Sequence, residues 1–474
     1  MVAAVTEAVA PSAVDLLVFG PAAVTMDDAG RLIEDAVIVI SGGRIVWIGP
    51  AQDAPPLPAP AARLDARGLI ALPGLVDAHV HLAQQPLRGL LAELSRRGPP
   101  RMPPWKHYWL PFEATLSPEE VRFFATVACA NMLLNGTTCF LEAGGPHPDE
   151  MALAAEEVGI RGFVALSTID SDPAPHRNPI PPAAMLATDE ALERNIALVR
   201  RWNRPGARVG AWMALRQIMV CTPELTRDMA EAARAEGTRL HVHLAEGAYE
   251  IDFALEVHGA RPAHHLERLG ALGPQLHAAH SVILLPEEVD LYVRRSVSAC
   301  HCSMNNFGIG VPRLQEMWRR GVAVGLGSDG AASADTLDIF RIAHAARIGQ
   351  AAQIGHVYQT RTPMGAEELL RIATRGGARA AGLAQEIGML AAGFRADLIL
   401  VDPSDADCWG TADPLYIAAH CIVGRDVRHV IVDGRVVVKD RALLTVDLDR
   451  LRSAYPARRA SALARLTAPT GAAW

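Results

Sequence analysis

Four histidines and two carboxylates stand at or just after the ends of short apolar runs, where they could hold a metal ion and activate water. In chain order, these groups lie in His79-Val80-His81, His243-Leu244-Ala245-Glu246, His280 and Asp329. Alternate residues of a strand point to the same side, so His79 and His81 can present both imidazoles to one ion. Imidazole and carboxylate ligands suit Zn²⁺ or Fe²⁺, and an open coordination position lowers the pKa of bound water to about 7. The pattern predicts a hydrolase centre with one metal ion.

Each of these residues also has a structural interpretation. A strand can carry satisfied core histidines, and His280 can cap a loop. Glu246 can be a first-turn helix residue favoured by the helix macrodipole, and Asp329 can be a helix N-cap. The position of all six groups at strand ends, together with the His-x-x-Glu spacing, favours chemistry.

The apolar runs alternate with longer amphipathic stretches, among them residues 118–134, 188–202 and 223–236. Eight strands are predicted at residues 74–78, 137–141, 162–166, 209–213, 239–243, 275–279, 297–300 and 322–326. This alternation is typical of βα units, and eight of them close into a (β/α)₈ barrel whose catalytic groups lie at the C-terminal strand ends. His241 is predicted to lie deeper in its strand and to fill the barrel.

The two ends of the chain have a different, all-β pattern. Short strands and turns run from residue 15 to residue 71, and similar runs return at residues 396–401, 427–432 and 435–438. Asp433-Gly434 between the last two runs is typical of a hairpin turn. We therefore predict a small β-sandwich from residues 1–68 and 389–474, flanking a barrel domain of residues 69–388.

Composition excludes several classes of protein. The chain has 474 residues, half of them hydrophobic and a fifth charged, with a formal net charge of -7, so it has no electrostatic bias toward nucleic acid or anionic membranes. No apolar run approaches the ~20 residues of a membrane span, and residues 1–11 lack the pattern of a signal peptide. A cytoplasmic location is expected.

The chain has seven scattered cysteines and no Cys-x-x-Cys pair. This pattern predicts neither a disulfide framework nor a thiolate zinc site.

Several of these motifs together resemble the amidohydrolase superfamily, over nearly the whole chain. The matching segments are residues 73–82, Arg88-Gly89, Gly136-Thr137-Thr138, the two histidine runs at 243–246 and 279–280, and Gly327-Ser328-Asp329. The branch that they resemble contains aminohydrolases and chlorohydrolases of s-triazines, purines and pyrimidines. The resemblance implies that His79, His81, His243 and Asp329 bind the metal. It also implies that Glu246 and His280, with Asp329, handle the attacking water and its protons.

The expected reaction is hydrolytic deamination of a planar, aminated N-heterocycle through a metal-bound hydroxide. Two alternatives stay open. The same metal set could displace chloride, an alkylamine, or the amine of a urea or cyclic amide, and the barrel could be a noncatalytic binding protein.

The lysine content bears on the number of metal ions. The chain has only Lys106 and Lys439, and neither lies near residues 209–220, where binuclear members of the superfamily place a carboxylated lysine. One divalent ion per chain is expected, zinc first and iron as the alternative. The resemblance also implies a possible homodimer.

Substrate contacts are predicted at Gln84, Trp105, Trp109 and Asn306. The Trp105–Trp109 segment could be a lid that stacks on a planar ring, or an ordinary packed loop. The strand-seven motif departs from the superfamily's pattern, because Ser303 replaces proline and Asn305 replaces serine.

Overall fold

A computed structural model describes residues 13–174, 179–355, 357, 359 and 364–466. Residues 1–11, on which the prediction of no signal peptide rests, lie outside these ranges. The strands are β1 (Leu16–Phe19), β2 (Ala22–Val24), β3 (Leu32–Ile33), β4 (Ala36–Ser41), β5 (Arg44–Pro50), β6 (Ala62–Asp65), β7 (Ile70–Pro73), β8 (Leu75–Val80), β9 (Thr137–Glu142), β10 (Arg161–Val164), β11 (Val209–Ala211), β12 (Met213–Gln217), β13 (Leu240–Leu244), β14 (Leu276–His280), β15 (Ser298–His301), β16 (Ala323–Leu326), β17 (Leu398–Val401), β18 (Val427–Val432), β19 (Arg435–Lys439) and β20 (Ala442–Leu443).

Helices separate most of these strands. The α-helices are Leu90–Ser95, Leu110–Glu113, Pro118–Leu134, Pro148–Val158, Thr188–Trp202, Pro223–Ala235, Ala248–His258, Pro262–Arg268, Pro286–Arg295, Ser303–Asn306, Leu314–Arg319, Gly330–Ala334, Ile339–Gln350, Ala366–Arg371, Gly377–Ala381, Pro414–His420 and Leu448–Ala464. Shorter 3₁₀ turns are Ala51–Asp53, Leu82–Leu87, Pro182–Ala184, Ala406–Cys408 and Gly424–Asp426, and π-helical turns are Trp105–Trp109, Ala351–Gly355 and Ile372–Gly376.

Strands β8 to β16 form the barrel. They pair in parallel as two sheets, β8-β9-β10-β11 and β12-β13-β14-β15-β16. Trp212 alone separates β11 from β12, so these two act as one bent strand and the barrel has the eight predicted strands. Their side chains are almost all buried, as expected when helices cover a parallel sheet. The predicted barrel is confirmed.

The first and last barrel strands, β8 and β16, meet through side chains and loop backbone. No ladder pairs them within the described part of the chain. The Asp77 carboxylate instead accepts hydrogen bonds from Ser328 Oγ at 2.6 Å and Ser328 N at 3.0 Å. The Asp329 N–H donates to the His79 carbonyl at 2.8 Å. A Cβ on Gly327 would lie 2.8 Å from His79 Cβ, so this close approach requires glycine.

The terminal segments form the sandwich. One sheet has the order β5-β4-β1-β6, and the other has the order β20-β19-β18-β17-β7-β2-β3. Strand β17 pairs antiparallel with β7, which joins the two ends of the chain. Asp433 and Gly434 have φ values of 53° and 77°, as a type I′ hairpin turn requires. The two ends of the chain therefore form the two sheets expected of the sandwich, and its first part includes β7, which the prediction assigned to the barrel domain.

A buried ion pair fixes the barrel against the sandwich. Arg161, the first residue of β10, donates through Nε to Asp397 Oδ2 at 2.6 Å and through Nη2 to Asp397 Oδ1 at 3.1 Å. Its Nη2 also reaches Asp433 Oδ1 at 3.2 Å. Both partners therefore come from the C-terminal part of the sandwich.

The C-terminal helix Leu448–Ala464 packs against the barrel mouth. Tyr455 Oη donates to the Gln85 carbonyl at 3.0 Å, and Arg459 Nε donates to the Pro86 carbonyl at 2.8 Å. Both acceptors lie in the turn that follows His81. Within the described ranges, no helix has the length and apolar character needed to cross a membrane.

Candidate active site

Three imidazoles meet at the C-terminal end of the barrel. His79 and His81 come from the end of β8, and His243 comes from β13. Their ring nitrogens lie within 4.8 Å of one another, and His81 Nε2 is 3.2 Å from His243 Nε2. All three side chains are buried. The fold therefore places the three predicted histidine ligands next to one another.

Burial keeps these imidazoles neutral. Desolvation lowers the pKa of His79, His81 and His243 well below the usual value of 6.5, and neighbouring positive groups, Arg216 among them, act in the same direction. A neutral imidazole keeps a lone pair on one nitrogen, which is the form that binds metal.

Hydrogen bonds orient two of the three rings. His243 Nδ1 lies 2.7 Å from the Arg216 carbonyl, so Nδ1 carries the proton and the Nε2 lone pair faces the cluster. His79 Nδ1 lies 2.9 Å from His241 Nε2. His241 thus lies beneath the cluster, within the barrel, where the sequence predicts it.

Asp329 completes the set from the end of the eighth barrel strand. Its Oδ1 is 3.1 Å from His79 Nε2 and 3.7 Å from His81 Nε2. Asn305 Nδ2 donates to its Oδ2 at 2.7 Å. Asp329 precedes the helix Gly330–Ala334 in the left-handed conformation, with φ of 57°, and its side chain makes no capping hydrogen bond. Asp329 therefore occupies the N-cap position of this helix without capping it through its side chain, and its carboxylate faces the histidines.

The donor separations fit a divalent metal ion. With Zn–N bonds of ~2.0–2.1 Å, neighbouring ligand atoms of one ion lie about 3.3 Å apart at tetrahedral angles, and closer when a water molecule adds a fifth ligand. The His81–His243 separation of 3.2 Å and the His79–Asp329 separation of 3.1 Å are close to this value. Two facing imidazole lone pairs repel each other unless a cation lies between them, so the cluster is arranged for a cation.

Glu246 lies beside this cluster, just beyond β13. Ala245 has a φ of 51°, which turns the chain so that Glu246 lines the cavity above the histidines. Tyr249 Oη donates to Glu246 Oε2 at 2.7 Å, and Gln217 Nε2 donates to the same oxygen at 3.2 Å. These two donors hold the carboxylate in place.

A second carboxyl group supports Glu246 from below. Glu250 Oε2 accepts the Glu246 backbone N–H at 2.9 Å, and Glu250 Oε1 is buried without a hydrogen-bond partner. Burial raises the pKa of Glu250 to about 8, with the nearby Glu246 and Glu288 carboxylates adding to the effect. Glu250 is therefore a protonated acid at neutral pH.

His280 presents one nitrogen to the cavity. Asn306 Oδ1 accepts the Cys302 N–H at 3.1 Å, which fixes the orientation of the Asn306 amide. Asn306 Nδ2 then donates to His280 Nδ1 at 3.1 Å, so the proton of a neutral His280 ring is on Nε2. His280 Nε2 is buried and has no hydrogen-bond partner among the residues that the structure describes. It can therefore donate to an oxygen bound beside it.

A cavity of about 580 Å³ opens above these groups. The predicted contacts Trp105 and Trp109 line it. They belong to a packed π-helical turn, in which both side chains are mostly buried. Gln84 and Asn306 are not among its lining residues. Gln84 Nε2 donates to Glu113 Oε1 at 2.7 Å, and Asn306 holds His280 from behind.

Several lining residues were not predicted from the sequence. Those that contact predicted site residues are Arg216, Gln217, Tyr249 and Asn305. Arg216 and Gln217 are the last residues of β12. Their position at the end of a barrel strand could have identified them from the sequence. Tyr249 lies three residues after Glu246 at the start of a helix, a spacing at which side chains meet.

Comparison with known proteins identifies relatives of this chain. The amidohydrolase family profile matches residues 70–437. A 5-methylthioadenosine/S-adenosylhomocysteine deaminase of Syntrophobacter fumaroxidans is 33% identical over 94% of this chain and 98% of the relative. A 5'-deoxyadenosine deaminase of Methanobrevibacter smithii is 30% identical over 82% of this chain and 85% of the relative.

Comparison with solved structures also finds related hydrolases. A zinc-bound adenosine deaminase from Xanthomonas campestris superposes with a TM-score of 0.87 at 28% identity, covering 96% of this chain and 100% of that chain. A zinc-bound atrazine chlorohydrolase from Arthrobacter aurescens gives a TM-score of 0.81 at 25% identity, covering 95% and 100%.

These findings confirm a hydrolase of carbon–nitrogen bonds that deaminates an aminated heterocycle. The histidine cluster and the zinc-bound neighbours together indicate that the site takes a metal ion. The chain belongs to the amidohydrolase family.

Proposed function

We propose that this chain hydrolyses the exocyclic C–N bond of an adenine nucleoside with an apolar 5' substituent, using one zinc ion. The observation that carries the proposal is that one cavity of about 580 Å³ is lined by the metal-site residues His81, His243 and Asp329 together with Glu246 and His280. The deaminase names of the relatives support the adenine ring as the substrate's base.

The metal would be held by His79, His81, His243 and Asp329. When bound, a divalent ion supplies a Lewis acid that makes water a nucleophile near pH 7. One ion is favoured because both lysines lie elsewhere. Lys106 Nζ lies 3.7 Å from Asp172 Oδ1, and Lys439 ends β19 in the sandwich.

Asp329 and His280 prepare the attacking water. The Asp329 carboxylate accepts one proton from it, while Asn305 keeps this carboxylate from turning away. His280 Nε2–H donates a hydrogen bond to the water oxygen and so directs its lone pair toward the ring carbon that bears the amine.

Glu246 moves the protons on the substrate. In its protonated form it gives a proton to the ring nitrogen next to the reacting carbon as the C–O bond forms. Glu246 recovers a proton by taking the second water proton as the C–O bond becomes a carbonyl. The proton held by Asp329 passes to the amine, and the C–N bond breaks to release ammonia. Tyr249 and Gln217 hold the carboxyl group in the position that both transfers need.

The far wall of the cavity supports the choice of 5' substituent. Its apolar lining residues are Leu91, Pro100, Met102, Pro103, Pro104 and Ile309. Such a wall stabilises an alkyl or thioether group by excluding water from it.

The test is an ammonia-release screen with zinc-loaded protein. Its panel contains adenosine, 5'-deoxyadenosine, methylthioadenosine, S-adenosylhomocysteine, an aminotriazine and a chlorotriazine. We expect one ammonia per inosine-type product, fastest with the apolar 5' substituents, and loss of metal and turnover in Asp329→Asn. Chloride release from the chlorotriazine, without ammonia from any adenine nucleoside, would reject the proposal. Unchanged turnover in Asp329→Asn would reject the metal site.

A further inference from the structure

Two adjoining cavities lie at the N-terminal end of the barrel, opposite the metal site. Their volumes are about 360 and 520 Å³, and they share Phe163, Asn203 and Leu383 as lining residues. Five arginines line them, namely Arg161, Arg204, Arg208, Arg234 and Arg239. No aspartate or glutamate does so among the described residues. This arrangement is unexpected in a chain with a formal net charge of -7.

Two of these arginines are already neutralised. Arg161 is held by Asp397 and Asp433, and Arg204 Nη2 lies 3.1 Å from Glu156 Oε1. Their charges are therefore matched inside the protein.

The other three contact no carboxylate in the described structure. Arg208 Nη2 donates to the Glu156 carbonyl at 3.0 Å, Arg234 Nη1 donates to the Gly270 carbonyl at 3.1 Å, and Arg239 Nη1 donates to the Pro274 carbonyl at 2.7 Å. A guanidinium group has five N–H donors, so each keeps donors to spare. Arg208 Nε is buried without any partner.

Burial makes the charges of Arg208 and Arg239 costly without an anion. It lowers the pKa of the Arg208 and Arg239 guanidinium groups, and the nearby Arg161 and Arg435 lower that of Arg208 further. Asp433 and Glu156 oppose this lowering for Arg208, but Asp433 pairs with Arg161 and Arg395, and Glu156 pairs with Arg204. The positive charges of Arg208 and Arg239 are therefore available to pair with an anionic ligand.

We infer that these joined cavities bind a small phosphorylated metabolite, with Arg208, Arg234 and Arg239 contacting its phosphate oxygens. Guanidinium groups match phosphate in geometry and in charge. Phe163 is half-buried and lines both cavities, where a planar base would contact it, so a nucleotide and an inorganic phosphate anion are the two sources of the same chemistry.

The test is titration calorimetry on zinc-loaded protein with pyrophosphate, ADP and citrate. Arg234 is exposed and bonds only to a carbonyl, so Arg234→Gln should fold normally, which a thermal melt checks. Arg208→Gln is the second variant. Arg201→Gln is the matched control, because Arg201 is exposed, bonds Asp149 and lines neither cavity. All variants carry the same zinc site, so differences between them cannot come from chelation.

We expect binding that weakens with salt, and a loss of affinity of about tenfold in both cavity variants but not in Arg201→Gln. Tighter binding of ADP than of pyrophosphate identifies a nucleotide, and equal binding identifies the phosphate group alone. The inference is overturned if neither phosphate compound binds at millimolar concentration. It is also overturned if citrate alone binds, or if all variants bind equally.

Discussion

At the scale of single residues, the site separates groups that hold a metal from groups that move protons. His79, His81 and His243 are neutral and face one another at ligand distances. Glu246 stands apart from them, fixed by a hydroxyl and an amide. Removing Glu246 should therefore affect the rate without affecting the metal.

We predict that Glu246→Gln keeps its metal and loses about 10² to 10⁴-fold in kcat, because proton transfer contributes that much. The measurements are metal analysis and ammonia release. Glu256→Gln, on the exposed face of the following helix, is the matched control and should behave as the parent. Loss of metal from Glu246→Gln would make Glu246 a ligand instead of a proton carrier.

At the scale of elements, strand ends could be predicted and loop side chains could not. A strand has a period of two, so the facing of His79 and His81 follows from sequence. Asn305 and Asn306 lie in a four-residue helix, where neighbours point in different directions and no period extends far enough to choose between them. Asn306 was chosen as the substrate contact, whereas Asn305 lines the cavity. Gln84 likewise lies in a 3₁₀ turn, whose direction depends on tertiary packing.

The helix Ala248–His258 begins on a protonated carboxyl group, which gives it a pH-dependent stability. The pKa of Glu250 is raised to about 8 in the folded chain, above the ~4.3 of an unfolded glutamate. The folded state therefore holds a proton that the unfolded state loses. The contribution of this Glu250 proton to the free energy of unfolding is complete below pH ~4.3 and is lost as the pH rises through 8.

We predict that Glu250→Gln, which cannot ionise, becomes more stable relative to the parent as the pH rises from 5 to 8. The gain is at most about 1.4 kcal/mol for each pH unit. Urea unfolding of both proteins at several pH values measures it. A stability difference that stays constant with pH would show that Glu250 is ionised in the folded protein.

At the scale of the whole molecule, the buried Arg161–Asp397 pair couples barrel and sandwich. Both side chains are almost fully buried, so an unpaired charge there has no access to water. Nearby carboxylates raise the pKa of Arg161, which keeps its charge at every accessible pH.

We predict that Asp397→Asn lowers the free energy of unfolding by about 3–5 kcal/mol, the usual effect of removing one partner of a buried ion pair. Asp402→Asn breaks the more exposed pair with Arg428 and should lower it by about 1 kcal/mol or less. Urea denaturation measures both. Equal losses in the two variants would show that Arg161 does not depend on Asp397 for its charge balance.

The split sandwich also sets an order of events during protein synthesis. Strand β7 leaves the ribosome early, but its antiparallel partner β17 follows only after the entire barrel has been translated. At about 5–20 residues per second, that interval lasts tens of seconds. The nascent β7 edge stays without this partner for the whole of that time, and unpaired strand edges favour aggregation. Chaperone demand during translation should therefore be greatest before β17 emerges.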